Sequence, residues 1–188
     1  MALPMFAQAV QMPTVNLPVS GSVGTYTPML GVDGVVGVKS GFTTPAGGCD
    51  VMATVHQVGG RPVLVLAAVT GVEGYDALGT AGSEAYALSQ AVAAGMVTVP
   101  VVAAGEQVGR ASAEGHEVPV VAKRSLDVVG WPQQVVTRTV ATPLRVTPGA
   151  PAGTAVGALR VSLGRQSESA VVATANKLPP PTLLQRLF

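Results

Sequence analysis

Gly34-Val35-Val36-Gly37-Val38-Lys39-Ser40-Gly41-Phe42-Thr43-Thr44-Pro45-Ala46-Gly47-Gly48-Cys49 is the stretch on which the fold turns. A valine-rich run of the kind that forms strands ends in a basic residue, a hydroxyl and a glycine. A turn through Thr44–Gly48 follows. Beyond it, a second strand is predicted from Cys49 to Val58, and Gly59-Gly60 forms a two-residue hairpin because both glycines adopt positive φ at little cost. The return strand, Pro62 to Val69, is continuously apolar, which predicts burial on both faces with a helix over one of them.

Asp76 to Ala94 supplies that helix: Ala81, Ala85, Leu88 and Val92 recur at the period of one helical face, and Gly95 stands at the C′ position. On the N-terminal side lie a short amphipathic run, Met5–Val10, an extended piece from Thr14 to Pro18, and a turn at Ser20-Gly21-Ser22. Past Gly95 the texture changes to short valine-rich strands without helical period: Thr98–Val102, Val118–Ala122, Gln134–Val140 and Ala158–Leu163. Ala104–Gly109 echoes Ala152–Gly157, each read as a tight turn between strands. Residues 97–188 are therefore predicted to form a separate small all-β sandwich domain. Its tail opens with Pro179-Pro180-Pro181 and frays or packs as an extended strap.

The chain has 188 residues, enough for one medium domain or two small ones. It is 48% hydrophobic and only 11% charged, which opposes disorder. Net charge is +1 and the basic residues are scattered apart from Lys123-Arg124, so no nucleic-acid partner is expected. The one cysteine, Cys49, cannot form an intrachain disulfide and is expected as a buried strand residue. No Cys/His cluster has zinc spacing, so neither metal nor cofactor is expected. His56 and His116 stand alone and read as ordinary surface or core histidines. Ala7-Gln8-Ala9 imitates a signal-peptidase site, but no positive n-region precedes it, so no signal peptide is expected. No apolar run approaches the roughly 18 residues of a membrane span.

Gly31 and Gly37 before Lys39-Ser40 invite a phosphate-loop reading. The spacing opposes it, since Val38 intervenes before the lysine and a turn, not a helix, follows. No dinucleotide fingerprint occurs either. At the end of an edge strand beside a cleft, however, Lys39 offers a cation and Ser40 a hydroxyl to a carboxylate. A hydrogen bond to such a charged group contributes about 1.5–3 kcal/mol. Gly41, without a side chain, admits a ligand backbone against the strand, and the Phe42 backbone N–H can serve as an oxyanion donor.

The run from Leu30 to Cys49, with its Gly-x-Lys-Ser-Gly-x-Thr-x-x-Ala-Gly pattern, resembles the third motif of serine-type D-alanyl-D-alanine carboxypeptidases, the low-molecular-mass penicillin-binding proteins of peptidase group S11. The resemblance covers residues 3–95 and loosens beyond. It implies an α/β fold: residues 1–95 as the C-terminal part of a penicillin-binding, β-lactamase-like catalytic domain, an antiparallel meander plus covering helix, followed by the β domain. It implies removal of the terminal D-alanine from peptidoglycan stem peptides, β-lactam binding, and an extracytoplasmic location. Lys39, Ser40 and Gly41 would bind substrate and Phe42 would supply the oxyanion donor.

Ser40 stands where the family usually has threonine. No Ser-x-x-Lys or Ser-x-Asn occurs, and Thr174-x-x-Lys177 is a chance match, so no catalytic residue is expected in this chain. Without a nucleophile it is expected to be inactive alone. The alternative is a non-catalytic module binding cell-wall peptide or protein through the Lys39 cleft.

Overall fold

A computed structural model describes residues 3–113, 116–141 and 146–180. The chain divides into two compact units, Met1–Met96 and Val97–Phe188.

Unit 1 opens with helix α1 (Pro4–Val10), whose proline occupies the first turn, where its missing N–H costs nothing. A hairpin of β1 (Thr14–Leu17) and β2 (Gly21–Gly24) follows. The extended piece and Gly/Ser turn expected there are thus a strand pair, turning at Val19 with φ 71°. Three long strands form the meander: β3 (Val35–Thr43), β4 (Gly47–Val58) and β5 (Arg61–Val72), antiparallel and in that order. The Gly59-Gly60 hairpin takes positive φ at both residues. Helix α2 (Ala77–Ala94) is capped by the Asp76 carboxylate, which accepts from the Gly79 N–H at 3.2 Å.

Three details of this unit depart from the sequence expectation. β5 is not buried on both faces: Val65 and Ala67 are buried, whereas Leu64 and Leu66 are 43% and 66% exposed. Only the face under α2 is covered, so a continuous apolar run here alternates in burial. The buried stripe of α2 is Ala77, Ala81, Ala85 and Ser89, with Leu88 turned out. Ser89 can be interior because its hydroxyl donates to Thr54 Oγ1 at 3.2 Å. Finally, Gly95 ends the helix at φ −82°, without the left-handed turn of a C′ glycine.

Unit 2 is all β among its described residues. In order, β6 (Val97–Val102), β7 (Gln107–Ala113), β8 (His116–Ala122), β9 (Leu126–Gly130), β10 (Thr137–Ala141), β11 (Ala155–Leu163) and β12 (Gln166–Thr174) make a five-stranded sheet, β10-β11-β12-β8-β7, and a two-stranded sheet, β6-β9. Both sheets contribute to one apolar core: Val101, Val102 and Leu126 from the smaller, Val120, Leu159 and Val172 from the larger. β7, β9 and β12 have no counterpart among the strands the sequence predicts, because polar residues dilute their apolar runs. β10 begins at Thr137 rather than Gln134, since Gln133 takes φ 70° and Gln134 Oε1 accepts the Trp131 N–H in a turn. Leu178, at the start of the predicted tail, is fully buried and donates its N–H to the Ala150 carbonyl. The tail beyond 180 lies outside the described residues.

The sequence echo has a structural counterpart. Gly105 and Gly153 take φ 82° and 83°. The Gly105 N–H donates to the Ala122 carbonyl (2.8 Å), and the Ala122 N–H donates to the Glu106 carbonyl (3.0 Å). Likewise Gly153 donates to Thr174 (2.7 Å) and Thr174 to Thr154 (3.0 Å). β8 and β12 pair antiparallel about Val121 and Ala173, and their outer partners bulge at matching places, Gln107/Gly109 and Ala155/Gly157. The two hairpins are therefore related by a pseudo-two-fold axis.

With two helices against twelve strands among the described residues, the molecule is predominantly β, less helical than an α/β expectation implies.

Candidate functional site

β3 is an edge strand of its sheet, and it carries the whole Lys39-Ser40-Gly41 motif. Lys39 is exposed, with its Nζ donating to the Ser40 carbonyl. Nothing but that Nζ, at 3.6 Å, would meet a Cβ built on Gly41. The space over Gly41 is thus open, as a ligand lying along the strand requires. A cleft of about 340 Å³ occupies it, walled by Lys39, Phe42, Ala46, Cys49 and Val51. A second hollow of about 320 Å³ runs between β3 and the segment Gly24–Thr27, with Phe6 and Val10 of α1 on its wall. Lys39 and Ser40 border both.

Ser40 differs from the picture of a hydroxyl held out to substrate. It is buried, and its Oγ donates to the Tyr26 carbonyl at 2.5 Å. That bond ties β3 to the segment before it. Phe42 is exposed along the cleft.

Asp50 was not singled out from the sequence. It faces Ser40 across the β3–β4 ladder and is fully buried. Neither carboxylate oxygen has a hydrogen-bond partner among the described residues. Burial pushes its pKa up from the ordinary value, and the nearby Lys39 ammonium opposes that shift. The signal in the sequence was an acidic residue inside an otherwise apolar strand.

The remaining candidates lie elsewhere. Cys49 is half-buried on the cleft wall, its thiol 3.5 Å from the Ala46 carbonyl. His56 Nε2 lies 3.2 Å from Ser89 Oγ, joining the hydroxyl chain that ties β4 to α2. His116 belongs to unit 2 and has a buried Nε2 without a hydrogen-bond partner among the described residues. Thr174 is buried and donates to the Pro151 carbonyl, so it offers no exposed nucleophile. Among the described residues no group of three or more His, Cys, Asp or Glu side chains gathers to hold a metal ion. No described helix is long and apolar enough to cross a membrane.

No family model matches the sequence, and no curated protein does. Solved structures match it. A peptidoglycan synthesis regulatory factor, PBP3 from Streptococcus pneumoniae, aligns over 94% of this chain and 52% of its own at 20% identity, with a TM-score of 0.52. The shared property is the fold. Penicillin binding protein 5 from Haemophilus influenzae aligns over 94% of this chain and 52% of its own (16% identity, TM-score 0.46). The D-alanyl-D-alanine carboxypeptidase DacD from Francisella tularensis aligns over 85% and 40% (20% identity, TM-score 0.43). The chain spans about half the length of the first two and less of the third.

Proposed function

We propose that unit 1 is the substrate-binding part of a serine-type D-alanyl-D-alanine carboxypeptidase site, in the C-terminal portion of the catalytic domain, and that it binds peptides ending in D-Ala-D-Ala at the edge of β3. The observation that supports this reading best is the open cleft over Gly41 with the Lys39 ammonium at its side. Lys39 holds the terminal carboxylate, the peptide backbone lies along β3 over Gly41, and the Phe42 N–H faces the scissile carbonyl. Ser40 contributes by fixing the strand through Tyr26, and its hydroxyl turns to substrate only if that bond is released.

The 188 residues contain no Ser-x-x-Lys, so binding rather than bond cleavage is assigned to them. The peptidoglycan theme of the structural neighbour, its fold, and the motif together favour the cell envelope as the place of action, with stem peptides and β-lactams as ligands. Residues 97–188 form the accompanying β domain.

Calorimetric titration with an N-acylated peptide ending in D-Ala-D-Ala tests the reading. Weak binding that Lys39→Ala reduces about tenfold or more supports it. Unaltered binding by the variant, or none by the parent chain, refutes it. Mass spectrometry after exposure to benzylpenicillin should show no covalent adduct on the chain alone.

A further inference from the structure

Asp50 is a buried titratable group that the proposed mode of binding leaves without a role. Aspartate is almost never fully buried unless it is paired. Asp50 is fully buried, and neither of its carboxyl oxygens has a hydrogen-bond partner among the described residues. Such a group costs folding free energy, so an apolar side chain of the same size would serve the sheet better. Its position ties it to the motif. Asp50 is the direct partner of Ser40 across the β3–β4 ladder, and both belong with Lys39 to the lining of the cleft. Opposed residues of an antiparallel pair hold their Cβ atoms about 4.5–5.5 Å apart, so the carboxyl group and the hydroxyl are within reach of one another by side-chain rotation. From β3 the Lys39 ammonium bears on Asp50. On β5 its partner is Val69, and the residues that α2 buries are Ala77, Ala81, Gly82, Ala85 and Ser89, so neither element brings a charge to it among the described residues.

The donors that a ligand carboxylate needs are few. The Lys39 ammonium already gives one N–H to the Ser40 carbonyl, and the Ser40 hydroxyl has a single hydrogen, given to the Tyr26 carbonyl. Ionised, Asp50 offers these donors the same acceptor group that the ligand brings, and it adds a like charge beside the ligand. We propose that Asp50 governs the hold of this cleft on a carboxylate ligand: ionised, it competes for the Lys39 ammonium and the Ser40 hydroxyl, and protonated, it leaves both to the ligand. The inference rests on the reading of the Lys39 cleft as a carboxylate site. Burial raises the pKa of Asp50 and the Lys39 ammonium opposes the rise, so the changeover lies above the ordinary aspartate value. A peptide α-carboxyl group, with an ordinary pKa of about 3.5, is ionised throughout it. Affinity is therefore full below the raised value and falls as pH rises through it. Linkage requires the converse as well: a ligand that binds the protonated form better draws a proton from the buffer onto Asp50 as it binds.

Calorimetric titration of the 188-residue chain with an N-acylated D-Ala-D-Ala peptide tests it, run from about pH 4.5 to 8.5 in pairs of buffers with different heats of ionisation. The expected result is an affinity that falls about tenfold as pH rises, with net proton uptake on binding inside the changeover. Asp50→Asn, which keeps the shape and cannot ionise, should hold the low-pH affinity at every pH and take up no proton. Asp50→Val should do the same, which separates loss of the charge from any effect of the new amide. A parent affinity that does not change with pH overturns the inference and leaves the Lys39 cleft as a carboxylate site. So does a pH dependence that survives in both variants, or a loss of low-pH binding in both, which would mean that Asp50 holds the ligand itself. No binding at any pH overturns the carboxylate reading of the cleft and this inference with it.

Discussion

Among the described residues, unit 2 buries fourteen side chains in one cluster fed by both of its sheets, whereas the corresponding cluster of unit 1 has four, Val35, Met52, Ala67 and Ala85. The difference lies in what covers the sheets. In unit 2 the five-stranded sheet has the smaller sheet's Val101, Val102 and Leu126 against it, and the pseudo-two-fold pairs two hairpins into a closed arrangement of hydrogen bonds. In unit 1 one face of three strands lies under α2, while Val51, Leu64 and Leu66 face water and Asp50 is buried without a hydrogen-bond partner among the described residues. Unit 2 spends its sequence on packing. Among the described residues unit 1 keeps an edge strand beside an open cleft and a carboxyl group without a hydrogen-bond partner, and it is the unit that carries the motif. Local features that cost stability concentrate where a ligand or partner is to be met.

The sharpest way to break this comparison is to truncate one leucine in each unit. Leu159→Ala, which empties a fully buried position, should cost unit 2 about 2–5 kcal/mol in denaturant unfolding. Leu66→Ala in unit 1 should change stability by less than about 0.5 kcal/mol. Equal effects would remove the distinction.

Next in size is Asp50. Replacing it with valine removes two oxygens that have no hydrogen-bond partner among the described residues and should stabilise unit 1 by about 1–3 kcal/mol. Its pH dependence has a definite sign. The folded-state pKa is raised above 3.8, so between those values the folded chain binds more protons than the unfolded one. Stability should therefore fall as pH rises from about the ordinary carboxylate range through the raised value, and Asp50→Val should flatten that slope. A stability that rises with pH over this window in an Asp50-dependent way would contradict the assignment.

The pseudo-symmetry of unit 2 gives a smaller but more discriminating effect. Gly105→Ala and Gly153→Ala face the same φ, with at most the flexible Lys123 Nζ nearby, so each should cost about 1 kcal/mol. Clearly unequal costs in thermal unfolding would show that the two turns are not equivalent.

Much of this was legible in the chain itself. The meander came through because glycines and prolines punctuate valine runs, and α2 because Ala81, Ala85, Leu88 and Val92 recur at helical spacing. Other features depend on tertiary context that sequence pattern does not carry. Leu64 and Leu66 look as interior as Val65, and only the absence of a cover over their face among the described residues decides otherwise. Ser89 is polar yet interior because Thr54 lies across from it, a pairing thirty-five residues apart. β12 begins Gln-Ser-Glu-Ser and is still a strand, since its apolar half completes the core beside β8. At the site, Lys39 and Gly41 lie on β3 beside the cleft. The Ser40 hydroxyl, by contrast, is committed to Tyr26, a carbonyl fourteen residues earlier that no local pattern could reveal.

The most direct test is a nuclear magnetic resonance titration of the isotopically labelled chain with an N-acylated D-Ala-D-Ala peptide. Shifts confined to Lys39–Phe42 and Ala46–Val51, and absent in Lys39→Ala, are what the account predicts. Shifts centred in unit 2, or unchanged when Lys39 is removed, would contradict it.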